Sequence, residues 1–193
     1  MSNPLLVFFS RFPDLRYTQN DHPSLAFQRL RHLRHLWEPI YGNDEHRLKR
    51  AYRNALTQEF NKLFGTEVDD VDVWQNLCQR IGIEIPPNVT ECRELISRTH
   101  VNLVDLVDAA QNNGRVRVFP TVQDLSDYTK EKGKIFPRHN IHAGDFLQYL
   151  LRHIANPSQD DRRGEEGSRG RPGRGRRGGR GRGRGRAGTT PNA

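Results

Sequence analysis

From Leu5 to about Ile154 the apolar residues of this chain recur at three- and four-residue intervals, the period of helices that bury one face. Phe27, Leu30, Leu33 and the Leu36/Trp37 pair form one stripe that begins at Ser24. Gln28, Arg29, Arg31, His32, Arg34 and His35 lie largely off it, and Pro39 and Gly42 predict its end. A second helix is expected from near Asp44 to Phe64, turning Leu48, Tyr52, Ala55, Phe60 and Leu63 inward, with Gly65 as its stop. A third, capped near Asp69 or Asp70, carries Trp74, Leu77, Cys78 and Ile81 as far as Gly82. Ile83, Ile85, Pro86 and Pro87 then form a stiff connection.

Thr90 to Arg98 predicts a fourth helix through Cys92, Leu95 and Ile96, with Asn88 or Thr90 as its cap. The stretch His100–Ala110 is the most apolar of the body, and Leu103, Val104, Leu106 and Val107 mark it as the central helix. After the stop Asn112-Asn113-Gly114, the alternation Arg115–Phe119 is too short to build a sheet alone. Thr121, three residues before Asp124, predicts a cap for a helix carrying Val122, Leu125 and Tyr128. A last helix is expected from about Ala143 to Ile154 through Phe146, Leu147 and Leu150, closed by Asn156-Pro157. Ahead of all these, Phe8, Phe9 and Phe12 gather before Pro13 in a short turn or extended clasp whose aromatics dock on the body. The fold class is therefore all-α: a single multi-helix domain over residues 1–156, with 1–22 as an N-terminal clasp, followed by a disordered C-terminal tail over 157–193.

The tail changes the picture of function. From Arg169 to Gly188 the chain has nine Arg and nine Gly, with Pro172 and Ala187 as the only other residues. Such a composition has no apolar side chain to offset the entropy of ordering a backbone. Charge divides accordingly. Of the net +8, the segment from Pro157 carries 11 Arg against Asp160, Asp161, Glu165 and Glu166, which leaves the body at +1. A near-neutral body with a cationic extension suits an anion-seeking arm on a carrier.

Arg guanidinium groups contact phosphates in bidentate fashion and stack on bases, and intervening Gly lets the backbone follow an irregular surface. The tail resembles the Arg/Gly-rich (RGG/RG) regions of RNA-associated proteins, although it lacks the Phe and Tyr that stack on bases in many of them. The candidate nucleic-acid contacts are Arg169, Arg171, Arg174, Arg176, Arg177, Arg180, Arg182, Arg184 and Arg186. A competing reading takes Arg169-Gly170-Arg171-Pro172 as the core of an AT-hook, an extended segment in the minor groove of A·T-rich DNA, with Ser168 where the fuller motif often has Pro. The bland reading is a tail that only raises solubility.

The body offers little chemistry by comparison. His32 with His35, and His139 with His142, have a spacing that could place two ligands on a metal. No Cys or carboxylate cluster completes either set, and Arg31, Arg34 and Arg138 oppose a cation, so no metal site or cofactor is expected. Asp105 and Asp108, with Asn102, could be paired carboxylates, but charges that interrupt an apolar helix are more often its solvent edge or partners for Arg. His100 has no Ser or Cys nucleophile motif to serve, and the body glycines read as helix stops, not as a phosphate loop. No catalytic residue is assigned; an enzyme in the helical body stays the minority reading. Cys78 and Cys92 fall on apolar helix positions as buried thiols of a reducing compartment. Without a positive region before Leu5–Phe9 or an apolar run of about 18 residues, the expected location is intracellular, nuclear or cytoplasmic, with no membrane partner.

The body combines Phe8-Phe9-Ser10-Arg11-Phe12-Pro13, Trp74-Gln75-Asn76-Leu77-Cys78, the run His100–Asp108 and Phe136-Pro137. In these it resembles a group of short, helical, uncharacterised fungal proteins, over about Leu5 to Ile154. The resemblance implies one intact helical domain, and it carries neither an activity nor site residues. The expectation is a non-catalytic accessory or adaptor protein that associates with RNA through its tail, with A·T-rich DNA as the alternative and a protein partner of unknown kind for the body. If Leu103 is buried in the central helix, Leu103→Ala should cost about 2–5 kcal/mol in denaturant unfolding. A loss below about 0.5 kcal/mol would put that side chain at the surface.

Overall fold

The computed structural model describes residues 3–18, 20–112, 114–137 and 140–151. Local chemistry sets most of its helix starts. Asn3 accepts the Leu6 amide at 2.8 Å ahead of α1 (Pro4–Phe9), and a 3-10 turn, Pro13–Leu15, follows. Asp44 accepts the amides of His46 and Arg47 at the head of α4 (Glu45–Phe64), and Asp70, not Asp69, caps α5 (Val71–Ile81). Asn88 accepts the Glu91 amide, so α6 runs over Val89–Ser97 with Asn88 as the cap instead of Thr90. Thr121 accepts the Asp124 amide before α8 (Val122–Lys132). Each of these side-chain acceptors satisfies a first-turn N–H that has no partner inside its own helix.

The helix expected from Ser24 through Trp37 is two helices: α2 (Pro23–His32) and α3 (Arg34–Tyr41), separated by Leu33 at φ −93°, ψ 66°. The apolar stripe runs through the break, so periodicity could not mark it. Ending α2 releases last-turn carbonyls, and the buried indole of Trp37 donates to that of Arg31 at 3.4 Å. Pro39 lies inside α3, which continues to Gly42.

The central apolar segment also divides. His100–Val101 is a strand, β1, that pairs antiparallel with β2 (Val118–Phe119), in the register His100 to Phe119 and Val101 to Val118. Helix α7 (Leu103–Asn112) begins just after it, with Leu103, Val104, Leu106, Val107 and Ala109 buried. Two residues per strand make a clamp on the ends of α7 and α8, not a layer, and the fold is all-α in substance. Of the last helix, α9 covers Asp145–Leu150, and Ile154 lies outside the described residues.

The long helix α4 shares the central position with α7. Its twenty residues span about 30 Å, enough to join two aromatic groups. At one end Tyr52 stacks on Phe27 with centroids 3.8 Å apart and rings 5° from parallel. Phe8 and Phe9 of α1 close over this pair, and Phe12 joins them, so that all three are buried. At the other end Phe60 meets Phe64, Phe136 and Phe146, and Phe146 packs edge-on against Trp74 of α5. Such edge-to-face and offset pairs add about 0.5–1.5 kcal/mol each beyond their buried area.

Two glycines are required by close approach. Gly65, at φ 90°, ends α4 where a Cβ would lie 2.7 Å from Val73 Cγ2. Gly144 lets the start of α9 cross Thr66, whose Cβ would lie 2.8 Å from an added Cβ, and the Phe146 amide there donates to the Thr66 carbonyl at 3.2 Å.

Cys78 and Cys92 are free and buried on α5 and α6; burial pushes the Cys78 thiol up to about 11 and raises that of Cys92 as well. Among the described residues no helix is long and apolar enough to cross a membrane.

One charge in this core has weak support. Glu59 is 1% exposed, and its Oε2 has no hydrogen-bond partner among the described residues. Burial raises its carboxyl pKa, against the opposing pull of Lys62, Gln111 and the Leu5 amide. A native-state pKa above the unfolded value means that the folded chain holds the proton longer, so stability falls as pH rises through that interval. Glu59→Gln should therefore be more stable than the parent at pH 7 and lose that advantage as pH falls toward about 4. Urea unfolding of both proteins across this range measures it; a variant equal to or weaker than the parent at pH 7 would contradict the reading.

Candidate functional site: a cationic cleft

Helix α2 packs on α7 and touches α4 through the Phe27–Tyr52 stack, and the C-terminal end of α8 lies over the same junction. Between them is a cleft of about 530 Å³. Its walls carry Arg31 and His32 from α2, Lys49 and Arg53 from α4, and Lys130, Lys132 and Lys134 from α8 and the turn after it. Glu131 is the one carboxylate among the described lining residues. Phe27, Tyr52, Val104 and Ile135 supply the apolar part of the wall. The net charge of the body, only +1, is thus distributed unevenly, with six Lys and Arg side chains around one concavity.

Each cation reaches the cleft for a local reason. Lys49 and Arg53 are four residues apart and share one face of α4. Gly133, at φ 64°, ends α8 in the left-handed conformation and turns the chain so that Lys134 points back to α7. That turn is tied down by Asn102, whose Nδ2 donates to Thr129 Oγ1 at 2.8 Å and to the Lys134 carbonyl at 3.0 Å. The Oδ1 of the same side chain accepts the amides of Val104 and Asp105 at the start of α7.

Under the cleft lies a buried polar group. Asp108 on α7 is 3% exposed, and it accepts hydrogen bonds from the Ser24 hydroxyl and, at 3.2 Å, from the Ser24 amide at the start of α2. Lys134 Nζ bonds Asp105 and lies 3.4 Å from Asp108 Oδ2. Burial raises the Asp108 carboxyl pKa, with Ser24 and Lys134 acting against it. Burial disfavours the Lys134 ammonium, but Asp105 and Asp108 outweigh that, and its pKa ends above the ordinary lysine value. Lys134 therefore stays charged between two carboxylates, and Ser24 is a donor to Asp108. The group supplies a fixed cation and no activated nucleophile.

The cations differ in how far they are neutralised. Arg31 and Lys49 share Glu45, at 2.7 and 3.2 Å, and Lys132 pairs with Glu131 at 2.7 Å. Arg53 and Lys130, both exposed, have no carboxylate within 4.0 Å among the described residues. Tyr52 is 6% exposed, and its hydroxyl has no hydrogen-bond partner among the described residues. Burial, with Asp108 and Tyr17 nearby, pushes its pKa well above 10, so it remains a donor.

The residues singled out by sequence separate into three groups. Asp105, Asp108 and Asn102 come together, but as a buried anchor for a lysine and a serine, not as a solvent edge or a partner for Arg; Asp108 could not be recognised as buried because Lys134 is 26 residues away. His32 lines the cleft and His35 is exposed; His142 is exposed, while His139 lies outside the described residues. Among the described residues no three His, Cys, Asp or Glu side chains gather as a metal site would need. The nine tail arginines, Arg169 to Arg186, also lie outside the described residues. The cleft itself went unrecognised from the sequence, where its only local signal is the Lys49/Arg53 pair and the alternation Lys130, Lys132, Lys134. No family model, curated protein or solved structure matches the chain.

Removing the central ammonium should be costly. Lys134→Met leaves Asp105 and Asp108 without their cation, and breaking a buried pair costs roughly 3–5 kcal/mol. With 15% of the Lys134 side chain exposed, the expected loss is at the lower end, about 3 kcal/mol at pH 7. It should shrink in acid, as the Asp108 carboxyl, its pKa raised by burial, takes up a proton. Equal stability of parent and variant at pH 7 in guanidinium unfolding would show that the anchor is not needed.

Proposed function

We propose that this protein is a non-catalytic, RNA-associated accessory or adaptor protein that contacts phosphates in two ways: the Arg/Gly-rich tail supplies sequence-indifferent contacts, and the cationic cleft adds a shaped one. The observation that carries the reading is the convergence of six Lys and Arg side chains on one concavity of a nearly neutral body. Dispersed cations would serve solubility equally well; gathering them in a cleft raises the local concentration of an anion there. The tail fits the same ligand, because Arg separated by Gly can follow a single strand and its phosphates.

Salt dependence tests the proposal. If about six tail arginines neutralise phosphates on single-stranded RNA, the slope of log affinity against log salt should be near −4, a loss on the order of 10²-fold between 50 and 200 mM. Replacing Arg174, Arg176, Arg177, Arg180, Arg182, Arg184 and Arg186 together with Ser should flatten the slope, with little dependence on RNA sequence. Fluorescence anisotropy with labelled oligonucleotides provides the measurement. An unchanged slope would remove the tail from RNA contact. A selective loss of binding to A·T-rich duplexes in Arg171→Ala would favour the AT-hook instead.

A further inference from the structure

The cleft is more specific in its chemistry than a phosphate-contacting surface needs to be. It combines two kinds of wall: cations on one part, and the Phe27–Tyr52 pair with Val104 and Ile135 on another. A volume of about 530 Å³ is within the range of small-molecule sites, about 300–1,000 Å³, and too small for a duplex. Its cations are also unequal, since Arg53 and Lys130 alone among its Lys and Arg side chains have no carboxylate partner within the described residues.

We propose that the cleft binds one nucleoside phosphate unit, with the phosphate held by Arg53 and Lys130 and the base against the half-buried Phe27 ring and Ile135. Inorganic phosphate would use only the cations and an uncharged nucleoside only the apolar wall, so a ligand bearing both groups is the one that fits. The unit can be a free mononucleotide or one residue of an RNA strand, and the second source rests on the RNA reading given above.

The test uses the full chain with the seven tail arginines, Arg174 to Arg186, replaced by Ser, so that tail contacts do not contribute. Titration calorimetry at 50 mM salt compares 5′-AMP with adenosine and with inorganic phosphate. AMP should bind at least about tenfold more tightly than either, because it alone uses both walls. Arg53→Gln and Lys130→Gln should each weaken AMP about tenfold, the size expected for a hydrogen bond between charged groups. Equal affinity for AMP, phosphate and adenosine, or AMP binding untouched by these two substitutions, would overturn the proposal.

Displacement of AMP by a short unlabelled oligoribonucleotide in the same protein identifies the strand as a source. AMP binding without displacement restricts the site to free nucleotides and removes the cleft, though not the tail, from RNA contact. Conversely, a persisting salt slope in the unsubstituted chain alongside failure of AMP to bind would overturn the cleft site and leave the tail reading standing.

Discussion

The fold turns on one buried carboxylate. Asp108 sits inside α7, where an isolated charge would cost far more than a helix can recover. Its requirement for donors fixes the start of α2, through the amide and hydroxyl of Ser24, and the chain just after α8, through Lys134. Apolar packing alone would let these helices slide over one another, because hydrophobic contact is non-directional. A carboxylate with a limited set of donors fixes their register. The walls of the cleft are therefore held by the same group that lies beneath it, and a charge that is poor for stability is useful for position.

This arrangement gives the cleft a rigidity that composition would not suggest. Asn102 joins the start of α7 to the end of α8 through four hydrogen bonds, and Thr129 and Lys134 are held by one of its amide hydrogens each. Lys130 extends from α8, which is fixed in this way, and Arg53 faces it from α4. Their side chains are exposed and free to adjust, while their backbones are held. A site of this kind selects by the shape of its frame and adapts by the length of its cations.

Helix identity was largely legible in the sequence because its causes are local. Asp44, Asn88 and Thr121 cap the helices their spacing announces, and Gly65, Gly82 and Gly133 end them. What escaped was non-local. Leu33 breaks a stripe that continues unbroken in the sequence, because Phe27, Leu30, Leu36 and Trp37 are inward on both sides of the break. Arg115–Phe119 does alternate, but its partner His100–Val101 opens an apolar run that reads as helix. The cleft draws on α2, α4 and α8, whose Lys and Arg side chains lie far apart in the sequence, and only the fold brings them to one concavity.

The two thiols give the α5–α6 half of the body a built-in reporter. Cys78 and Cys92 are both fully inaccessible, and their thiolate forms are suppressed by burial. An alkylating reagent can therefore reach them only during excursions in which α5 and α6 separate or the body opens as a whole. The rate at which the native chain takes up one such label counts those openings, and the ratio of single to double labelling tells whether the pair is uncovered one cysteine at a time or together.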